Sequence, residues 1–183
     1  MRMIRPCGPG DPDAIFAIIN DAAQAYRGVI APDCWHEPYM SRDELLREIE
    51  SGLSFRASEV DHRLVAVMGL QHVGDVALIR HAYTSPAHQR RGHGEALLAD
   101  LRERTDRALL VGTWKAADWA IRFYEKHGFR QAGPVLTERL LLRYWTVSPR
   151  QIEESVVLAE PDWLAEPDWL APGGNDAIRP RPA

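Results

Sequence analysis

The sequence contains little of what marks a secreted, membrane-spanning or metal-binding protein. Its two cysteines, Cys7 and Cys34, form no spaced pair, so free thiols in a reducing cytosol are expected instead of a disulfide or a zinc site. The N-terminus lacks the apolar run of a signal peptide, and no stretch is long enough to span a bilayer. The seven histidines are scattered without the spacing of metal ligands. These absences predict a cytoplasmic protein that spans no membrane and holds no metal.

The chain also lacks a strong excess of charge of either sign. Its 183 residues carry a formal net charge of −4, which provides no general attraction to nucleic acid or to an anionic membrane surface. Any anion-binding site must therefore be local. A composition of 45% hydrophobic and 26% charged residues suits one compact domain with a sizeable core. We place that domain at residues 1–147 and a C-terminal extension at residues 148–183.

Hydrophobic periodicity and turn residues predict an α/β (α+β) fold. Apolar stripes at helical spacing alternate with short apolar runs, which are separated by turn pairs such as Asp61-His62 and Gly74-Asp75. Closely spaced strands favour antiparallel pairing, and helices between strands favour parallel crossovers. The expected architecture is a central mixed, mostly antiparallel, twisted sheet flanked by helices. The expected elements are strands at 3–7, 53–60, 64–73, 76–84, 108–111 and 136–146, and helices at 12–25, at 41–52, after Gly92 and at 116–127.

One loop, Gln89-Arg90-Arg91-Gly92-His93-Gly94, has the composition of an anion-binding site. It connects the strand at 76–84 to the helix that follows it. The first N–H groups of a helix have no helical partner, and the helix dipole adds roughly half a positive charge there. Glycines let a phosphate approach the main chain closely, and Arg90 and Arg91 add charge. The loop is therefore predicted to hold a diphosphate.

A second motif follows at residues 120–129, with the sequence Ala-Ile-Arg-Phe-Tyr-Glu-Lys-His-Gly-Phe. Together, the strand, the Gln-x-x-Gly-x-Gly loop, the helix and this second motif resemble the acetyl-CoA-binding motifs of the GNAT superfamily of N-acetyltransferases. Either motif alone is weak, since glycine loops occur in many nucleotide-binding proteins. Their order and spacing make the resemblance specific, and it covers roughly residues 3–145. It implies a GNAT-like sheet in which a splayed parallel strand pair binds acetyl-CoA.

The resemblance also implies how acetyl-CoA is held, without a metal. The pyrophosphate would lie on the backbone amides of the loop, and the pantetheine arm would pair with the preceding strand like an added strand. A backbone N–H of that strand would polarise the acetyl carbonyl. Many relatives carry an asparagine where this chain has Ala117, so one polar contact with the cofactor is in question. The implied cofactor-binding residues are Ala82, Tyr83, Thr84, Gln89, Arg90, Arg91, Gly92, His93, Gly94 and Phe123.

By the same resemblance, Tyr124 occupies the position of the superfamily's usual general acid, beside the departing sulfur of the cofactor. A phenol with a pKa of about 10 stays protonated at neutral pH, whereas a thiol with a pKa of about 8.5 departs as thiolate unaided. Protonation of that thiolate by tyrosine is uphill by about 2 kcal/mol, so Tyr124 would assist the departure rather than drive it. The alternative is a packing role, because Ala120 and Ile121 lie one turn back on the same helix face.

The general base is harder to assign. Several relatives carry a glutamate or histidine on the strand before the loop, but the matching positions here are Leu78 and Arg80. His81 is adjacent, and histidine is the side chain that most readily exchanges a proton near neutral pH. Strand alternation places His81 on the opposite face from Arg80 unless a bulge intervenes. A structural role for His81, or deprotonation through water by a carboxylate elsewhere, is the alternative.

The resemblance further implies that the acceptor pocket comes from the irregular, aromatic segment after the first helix. Candidate lining residues are Tyr26, Trp35, Glu37 and Tyr39. Aromatic rings could enclose an apolar amine, and Glu37 could hold an ammonium group. The alternative is that Trp35 and Tyr39 cover the core beneath a long loop. The acceptor is expected to be a small-molecule or peptide amine.

The C-terminal extension contains a verbatim repeat, in which residues 159–164 and 165–170 both read Ala-Glu-Pro-Asp-Trp-Leu. Two short copies cannot build a solenoid. One expectation is a duplicated tail that is partly disordered. The other is a docking peptide, in which Trp163 and Trp169 anchor a partner or the second subunit of a homodimer.

Two functions are compatible with these patterns. The first is an N-acetyltransferase that moves an acetyl group from acetyl-CoA to a primary amine by direct attack in a ternary complex. The second is a non-catalytic acyl-CoA-binding or sensor module, which the lack of an obvious base and the alanine at position 117 favour. Tyr124 and the intact loop favour the enzyme. No nucleic-acid or membrane partner is expected with either function.

Overall fold

The computed structural model describes residues 2–165. Its centre is a seven-stranded sheet with the strand order β1-β2-β3-β4-β5-β7-β6. Short 3-10 turns lie at Gln24–Tyr26, Pro32–Cys34 and Pro86–His88. The other elements, in chain order, are β1 (Arg2–Pro6), α1 (Pro12–Ala23), α2 (Arg42–Glu50), β2 (Ser54–Val60), β3 (Arg63–Val73), β4 (Val76–Thr84), α3 (His93–Arg102), β5 (Ala108–Trp114), α4 (Asp118–Lys126), β6 (Arg130–Gln131), α5 (Pro134–Tyr144), α6 (Pro149–Glu153), β7 (Ser155–Ala159) and α7 (Pro161–Ala165).

Neighbouring strands of the sheet are antiparallel except for β4 and β5. These two strands run parallel from the pair Val76 and Ala108 to the pair Ile79 and Val111, and then part. Beyond that point, in the described chain, β4 pairs with β3 and β5 pairs with β7. The divergence opens a splay in the middle of the sheet. The predicted mixed, mostly antiparallel sheet with a splayed parallel pair and flanking helices is therefore confirmed.

The helices begin where the sequence carries a helix-start signal. Pro12 lies in the first turn of α1, where its missing N–H costs no helical hydrogen bond. The Ser41 hydroxyl accepts a hydrogen bond from the N–H of Glu44 at 3.1 Å and caps α2. α3 begins at His93, directly after Gly92, as the loop composition predicts. Local side-chain chemistry thus sets these boundaries.

Helices cover both faces of the sheet, because successive strand residues point to opposite faces. On one face, α3 and α4 bury Leu97, Leu101 and Ile121 against the central strands. On the other face, α1 and α2 bury Ile19 and Leu45, and α5 covers β5 and β7. The splay opens on this second face between α1 and α5. Within residues 2–165, none of the helices has both the length and the apolar character needed to cross a bilayer.

The predicted strand at 136–146 is wrong, because Pro134–Tyr144 forms α5. A short apolar run suits a strand or a buried helix equally, and Pro134 in the first turn is the signal that favours the helix. The buried side chains recur at helical spacing. They are Thr137, Leu140, Leu141 and Tyr144.

The extension predicted to begin at residue 148 contributes to the sheet. α6 begins with a capping box formed by Ser148 and Gln151. β7 then inserts between β5 and β6, and its residues 157–159 are fully buried. The sheet therefore continues past the boundary placed at residue 147.

The first copy of the repeat is part of this fold. Leu109 in β5 donates its N–H to Glu160 at 3.3 Å, and α7 packs Trp163 and Leu164 against the α5 side of the core. Residues 159–164 are therefore folded and do not form a disordered tail. The second copy lies outside the described residues apart from Ala165.

Candidate functional site

The loop at residues 89–94 turns sharply between β4 and α3. The 3-10 turn at Pro86–His88 precedes it. Arg90 and Gly92 both adopt left-handed backbone conformations, with φ of 57° and 77°. Glycine adopts this conformation without the steric cost that a Cβ atom imposes, which explains the glycine at position 92. The turn leaves the amino end of α3 open.

This helix end presents a row of free main-chain donors. In the described chain, no hydrogen bond engages the N–H groups of residues 90–95. Ala96 is the first residue to bond back, to the carbonyl of Gly92 at 3.1 Å. The helix dipole adds roughly half a positive charge at the same place. Such an arrangement binds a phosphate or another oxyanion.

Guanidinium groups surround these donors. Arg90 and Arg91 are exposed on the loop. Arg2 of β1 donates from Nη1 to the carbonyl oxygens of Arg91 and Gly92 at 3.4 and 3.2 Å. The sequence did not single out Arg2, which lies 89 residues from Arg91 in the chain. A local positive patch thus forms in a chain whose net charge is −4.

His93 contributes its main chain to the loop, whereas its side chain is structural. The residue is 5% exposed, and Nδ1 lies 2.8 Å from the hydroxyl of Ser58 in β2. Burial, followed by the nearby charge of Arg2, lowers the pKa of His93. The imidazole is therefore neutral at neutral pH and ties α3 to β2.

The remaining cofactor residues suggested by the sequence lie beside this helix end. Residues 82–84 of β4 have β3 on one side and, in the described chain, no paired strand on the β5 side. Phe123 of α4 packs against Gly94, with ring atoms 3.4 Å from where a Cβ atom would lie on that glycine. The structure thus brings the loop, the free edge of β4 and the Phe-Tyr motif together at the splay.

Tyr124 lies in the core next to this region. The residue is 3% exposed, and its ring lies 5.0 and 5.5 Å from the rings of Phe123 and Phe129, centroid to centroid. Its hydroxyl makes no hydrogen bond to a described residue. Burial raises the pKa of Tyr124 above its ordinary value, so the phenol stays protonated and can donate a hydrogen bond.

A bulge in β4 decides where His81 points. The register of β3 and β4 shifts after Gly69, which pairs with Arg80. His81 and Ala82 then stand opposite Met68 alone, and His81 takes a left-handed φ of 51°. A Cβ atom on Gly69 would lie 2.8 Å from the carbonyl oxygen of Arg80, so this register requires glycine at position 69.

The bulge brings Arg80 and His81 to the same carboxylate. Arg80 Nη2 donates to one oxygen of Glu48 in α2 at 2.6 Å. His81 Nε2 hydrogen-bonds to the other oxygen of Glu48. Regular strand alternation would have placed these two side chains on opposite faces. The bulge, which the sequence alone did not establish, is therefore present.

Glu48 is ionised in this arrangement. Burial opposes its charge, but the hydrogen bond from His81, together with the charge of Arg80 and the hydrogen bond from it, outweighs burial, so the pKa of Glu48 lies below its usual value. An ionised Glu48 orients the imidazole with Nε2 toward α2. Within residues 2–165, no hydrogen bond occupies Nδ1 of His81, and that nitrogen can accept a proton.

A cavity of about 170 Å³ opens at the splay. It lies at the carboxyl end of the parallel strand pair, where ligands bind in open α/β sheets. His81 and Arg80 line it, and most of the remaining wall is aromatic or aliphatic. We name this space the acceptor cavity. Its aromatic lining residues are Tyr26, Tyr39, Tyr83, Trp114 and Trp145.

Two of the four acceptor residues suggested by the sequence line this cavity. Tyr26 and Tyr39 form part of its wall. Trp35 packs against Tyr39 outside the wall, with ring centroids 5.7 Å apart. Glu37 is exposed and accepts a hydrogen bond from Gln24 at 3.4 Å. The carboxylate that reaches His81 therefore comes from α2 and not from the aromatic segment.

Glu48, Trp114 and Trp145 are site residues that the sequence did not indicate. Glu48 lies in an amphipathic helix whose charged residues are ordinarily solvated, and no pattern separates it from Glu44 or Glu50. The two tryptophans end β5 and follow α5, and only the fold brings them to one cavity.

A larger cavity of about 720 Å³ lies at the other end of β5, between the end of α3 and α7. Its charged residues include Arg102 and Glu160, which lie 3.8 Å apart. No group of three or more histidine, cysteine, aspartate or glutamate side chains in residues 2–165 is placed to hold a metal ion. The free N–H groups at the start of α3 and the hydrogen-bonded pair of His81 and Glu48 lie at the splay, away from this larger cavity.

Several solved structures share this fold. The PaiA N-acetyltransferase of Thermoplasma acidophilum, in complex with coenzyme A, is 17% identical, with a TM-score of 0.66 over 87% of this chain and 98% of that chain. The ribosomal-protein-S18-alanine N-acetyltransferase of Escherichia coli is 19% identical, with a TM-score of 0.60 over 87% and 93% of the two chains. N-acetylglutamate synthase of Neisseria gonorrhoeae, complexed with coenzyme A and N-acetyl-glutamate, is 21% identical, with a TM-score of 0.60 over 87% and 35%.

Sequence comparison identifies the family. No curated protein matches the chain. The family model described as an acetyltransferase (GNAT) domain matches residues 20–142, which is more than half of the chain. The match spans the acceptor cavity's aromatic segment, the loop at 89–94 and the Phe-Tyr motif. The chain therefore belongs to the GNAT acetyltransferase family.

Proposed function

We propose that this protein transfers an acetyl group from acetyl-CoA to a primary amine, on a small molecule or a peptide, by direct attack in a ternary complex. The observation that carries the proposal is the splay between β4 and β5. The free donors of α3 lie beside it, and it opens into a cavity lined by His81. Membership in an acetyltransferase family and structural neighbours crystallised with coenzyme A support this assignment.

The residues present fit coenzyme A. A diphosphate would occupy the free N–H groups of residues 90–95, beside three arginines, and an extended pantetheine arm would pair with the β5 side of residues 82–84. Acetyl-CoA supplies the acetyl thioester. Ala117 is fully buried at the start of α4 and offers no polar contact. Recognition of the cofactor therefore depends mainly on the main chain and the arginines.

His81 acts as the general base in this proposal. The amine nitrogen forms the new C–N bond, the electrons of the C–S bond leave with the sulfur, and the amine proton passes to Nδ1 of His81. Glu48 keeps the other ring proton on Nε2 and stabilises the positive charge that His81 gains. Glu48 is thus a positioning residue that acts through His81.

Tyr124 acts as a hydrogen-bond donor to the departing sulfur. An ordinary phenol is already about 2 kcal/mol too weak an acid to protonate a thiolate fully, and burial weakens Tyr124 further. A hydrogen bond requires no proton transfer and still stabilises the developing negative charge. The thiolate then takes its proton from solvent.

The direct test measures thiol release from acetyl-CoA with a panel of primary amines, together with acetyl-CoA binding by calorimetry. We expect turnover with at least one amine and only slow hydrolysis without an amine. Saturable binding without turnover on any amine would identify a non-catalytic acyl-CoA-binding module instead. Absence of binding would contradict both functions.

A further inference from the structure

The acceptor cavity has a composition that narrows the class of amine. This inference rests on the proposed function, because the cavity is taken as the place where the amine binds. Five aromatic and three aliphatic side chains form most of its wall. The neutral polar lining residues besides the tyrosines are Thr113, Gln151 and Ser155. The wall therefore offers aromatic and aliphatic contacts together with a few neutral polar groups.

The cavity wall holds the cation Arg80, which is already paired with a carboxylate. No carboxylate lines it in the described chain. Arg80 and His81 both bond to Glu48, and Arg80 Nη1 also donates to Gln71 at 3.0 Å. A second ammonium group on the substrate would find no counter-charge, and a substrate carboxylate would have to compete with Glu48 for Arg80. An amine without other charges avoids both penalties.

The aromatic wall is held in place and stays uncharged. Trp114 Nε1 donates to the hydroxyl of Tyr39 at 2.7 Å. The ring of Tyr26 lies 5.4 Å from that of Tyr39 and edge-on to that of Tyr83 at 6.3 Å, centroid to centroid. Burial raises the pKa of all three tyrosines. The parts of these rings that line the cavity can receive a further ring in the offset or edge-on geometry that aromatic pairs prefer.

The volume of the cavity limits the size of the group. At about 170 Å³, it is smaller than the roughly 300–1,000 Å³ of sites for drug-sized ligands. A single ring on a short alkyl chain suits this volume, whereas a peptide segment exceeds it.

We propose that the acceptor is a compact arylalkyl primary amine, whose ring lies in the acceptor cavity and whose nitrogen reaches Nδ1 of His81. The aromatic wall favours the ring, the absence of a free charge disfavours polyamines and acidic amines, and the volume disfavours peptides.

The test compares kcat/KM for 2-phenylethylamine with that for 2-cyclohexylethylamine, spermidine, glutamate and a peptide with an N-terminal alanine. We expect 2-phenylethylamine to exceed the charged amines and the peptide by at least about tenfold, and to exceed the cyclohexyl analogue by about threefold. A higher value for spermidine, glutamate or the peptide would overturn the proposal. Turnover of at least one amine in this panel would show that the protein is an acetyltransferase even where the proposed acceptor class is wrong.

A substitution in the lining sharpens the test. Gln151→Glu introduces a carboxylate, and glutamate can form the same capping box with Ser148. The ratio of kcat/KM for 1,4-diaminobutane to that for 2-phenylethylamine should rise about tenfold in the variant, while the Kd of acetyl-CoA is unchanged. An unchanged ratio would show that this cavity does not receive the part of the amine that lies beyond its nitrogen.

Discussion

The loop at 89–94 and the acceptor cavity differ in how they are built. The loop uses main-chain N–H groups from one short stretch, together with the dipole of the helix that follows. The cavity uses side chains from β4, β5, α5, α6 and the segment after α1. A main-chain site depends on backbone conformation and tolerates many side chains. A side-chain site changes its specificity with each substitution, which is how one family can keep a common donor and vary the acceptor.

His81→Ala is expected to show the largest difference between the two regions, because it should lower kcat and leave the Kd of acetyl-CoA unchanged. Loss of a positioned base lowers kcat by roughly 100-fold or more, whereas the loop and the Kd of acetyl-CoA should be unaffected. Steady-state kinetics and calorimetry on one preparation measure both quantities. His72→Ala, at an exposed histidine of β3, is the matched control and should leave both unchanged. A wild-type kcat in the His81 variant would assign this residue a structural role.

Gly92→Val is expected to have the opposite effect, a higher Kd of acetyl-CoA with little change in kcat. A β-branched residue at a φ of 77° strains the loop by about 1–2 kcal/mol, and its side chain obstructs the approach of the diphosphate. We expect the Kd of acetyl-CoA to rise roughly 10- to 30-fold, with kcat largely retained at saturating cofactor. Gly10→Val is the control, because a Cβ atom there meets nothing within 4 Å. Equal affinity in the Gly92 and Gly10 variants would remove the loop from the cofactor site.

Glu48→Gln tests whether the acceptor region depends on its buried carboxylate. We expect kcat to fall about tenfold, because His81 loses its orientation and the stabilisation of its charge. If Glu48 had only a structural role, the variant would be less stable but would keep the wild-type kcat.

The carboxylate of Glu48 also makes the stability of this region depend on pH. The pKa of Glu48 is lowered on folding, so its pairs stabilise the protein above the ordinary glutamate pKa of about 4.3 and are lost as the pH falls through the lower folded value. We expect wild type to exceed Glu48→Gln in free energy of unfolding by about 2 kcal/mol at neutral pH. Urea unfolding at a series of pH values should show this difference shrinking below pH of about 4. A difference that grows with acidity would contradict the ionised assignment.

The smallest effect is expected for Tyr124→Phe, which lies where the two regions meet. The ring packing against Phe123 and Phe129 is kept, and only a hydrogen-bond donor is lost. We expect kcat to fall about three- to tenfold, with the Kd of acetyl-CoA unchanged. Unaltered turnover would limit Tyr124 to packing, and a weaker Kd would place its hydroxyl on the cofactor.

Prediction succeeded where a structural signal is local. The starts of α1, α2 and α3 follow from Pro12, Ser41 and Gly92, because proline, a capping hydroxyl and a glycine act on the adjacent backbone. The prediction of a strand at 136–146 was wrong, since an apolar run does not distinguish a strand from a buried helix. The orientation of His81 stayed open because the bulge depends on the register with Gly69 of the neighbouring strand.

By itself, the sequence determined the family, the sheet architecture and the loop that is suited to a diphosphate, because these depend on contiguous residues and on periodic patterns. Only the tertiary structure decided that Glu48 meets His81 and that Tyr26, Trp114 and Trp145 share one cavity. The physical reason is that a side-chain site depends on the register of strands and on the packing of helices over the splay. Those are set by the whole core and by no single stretch of chain.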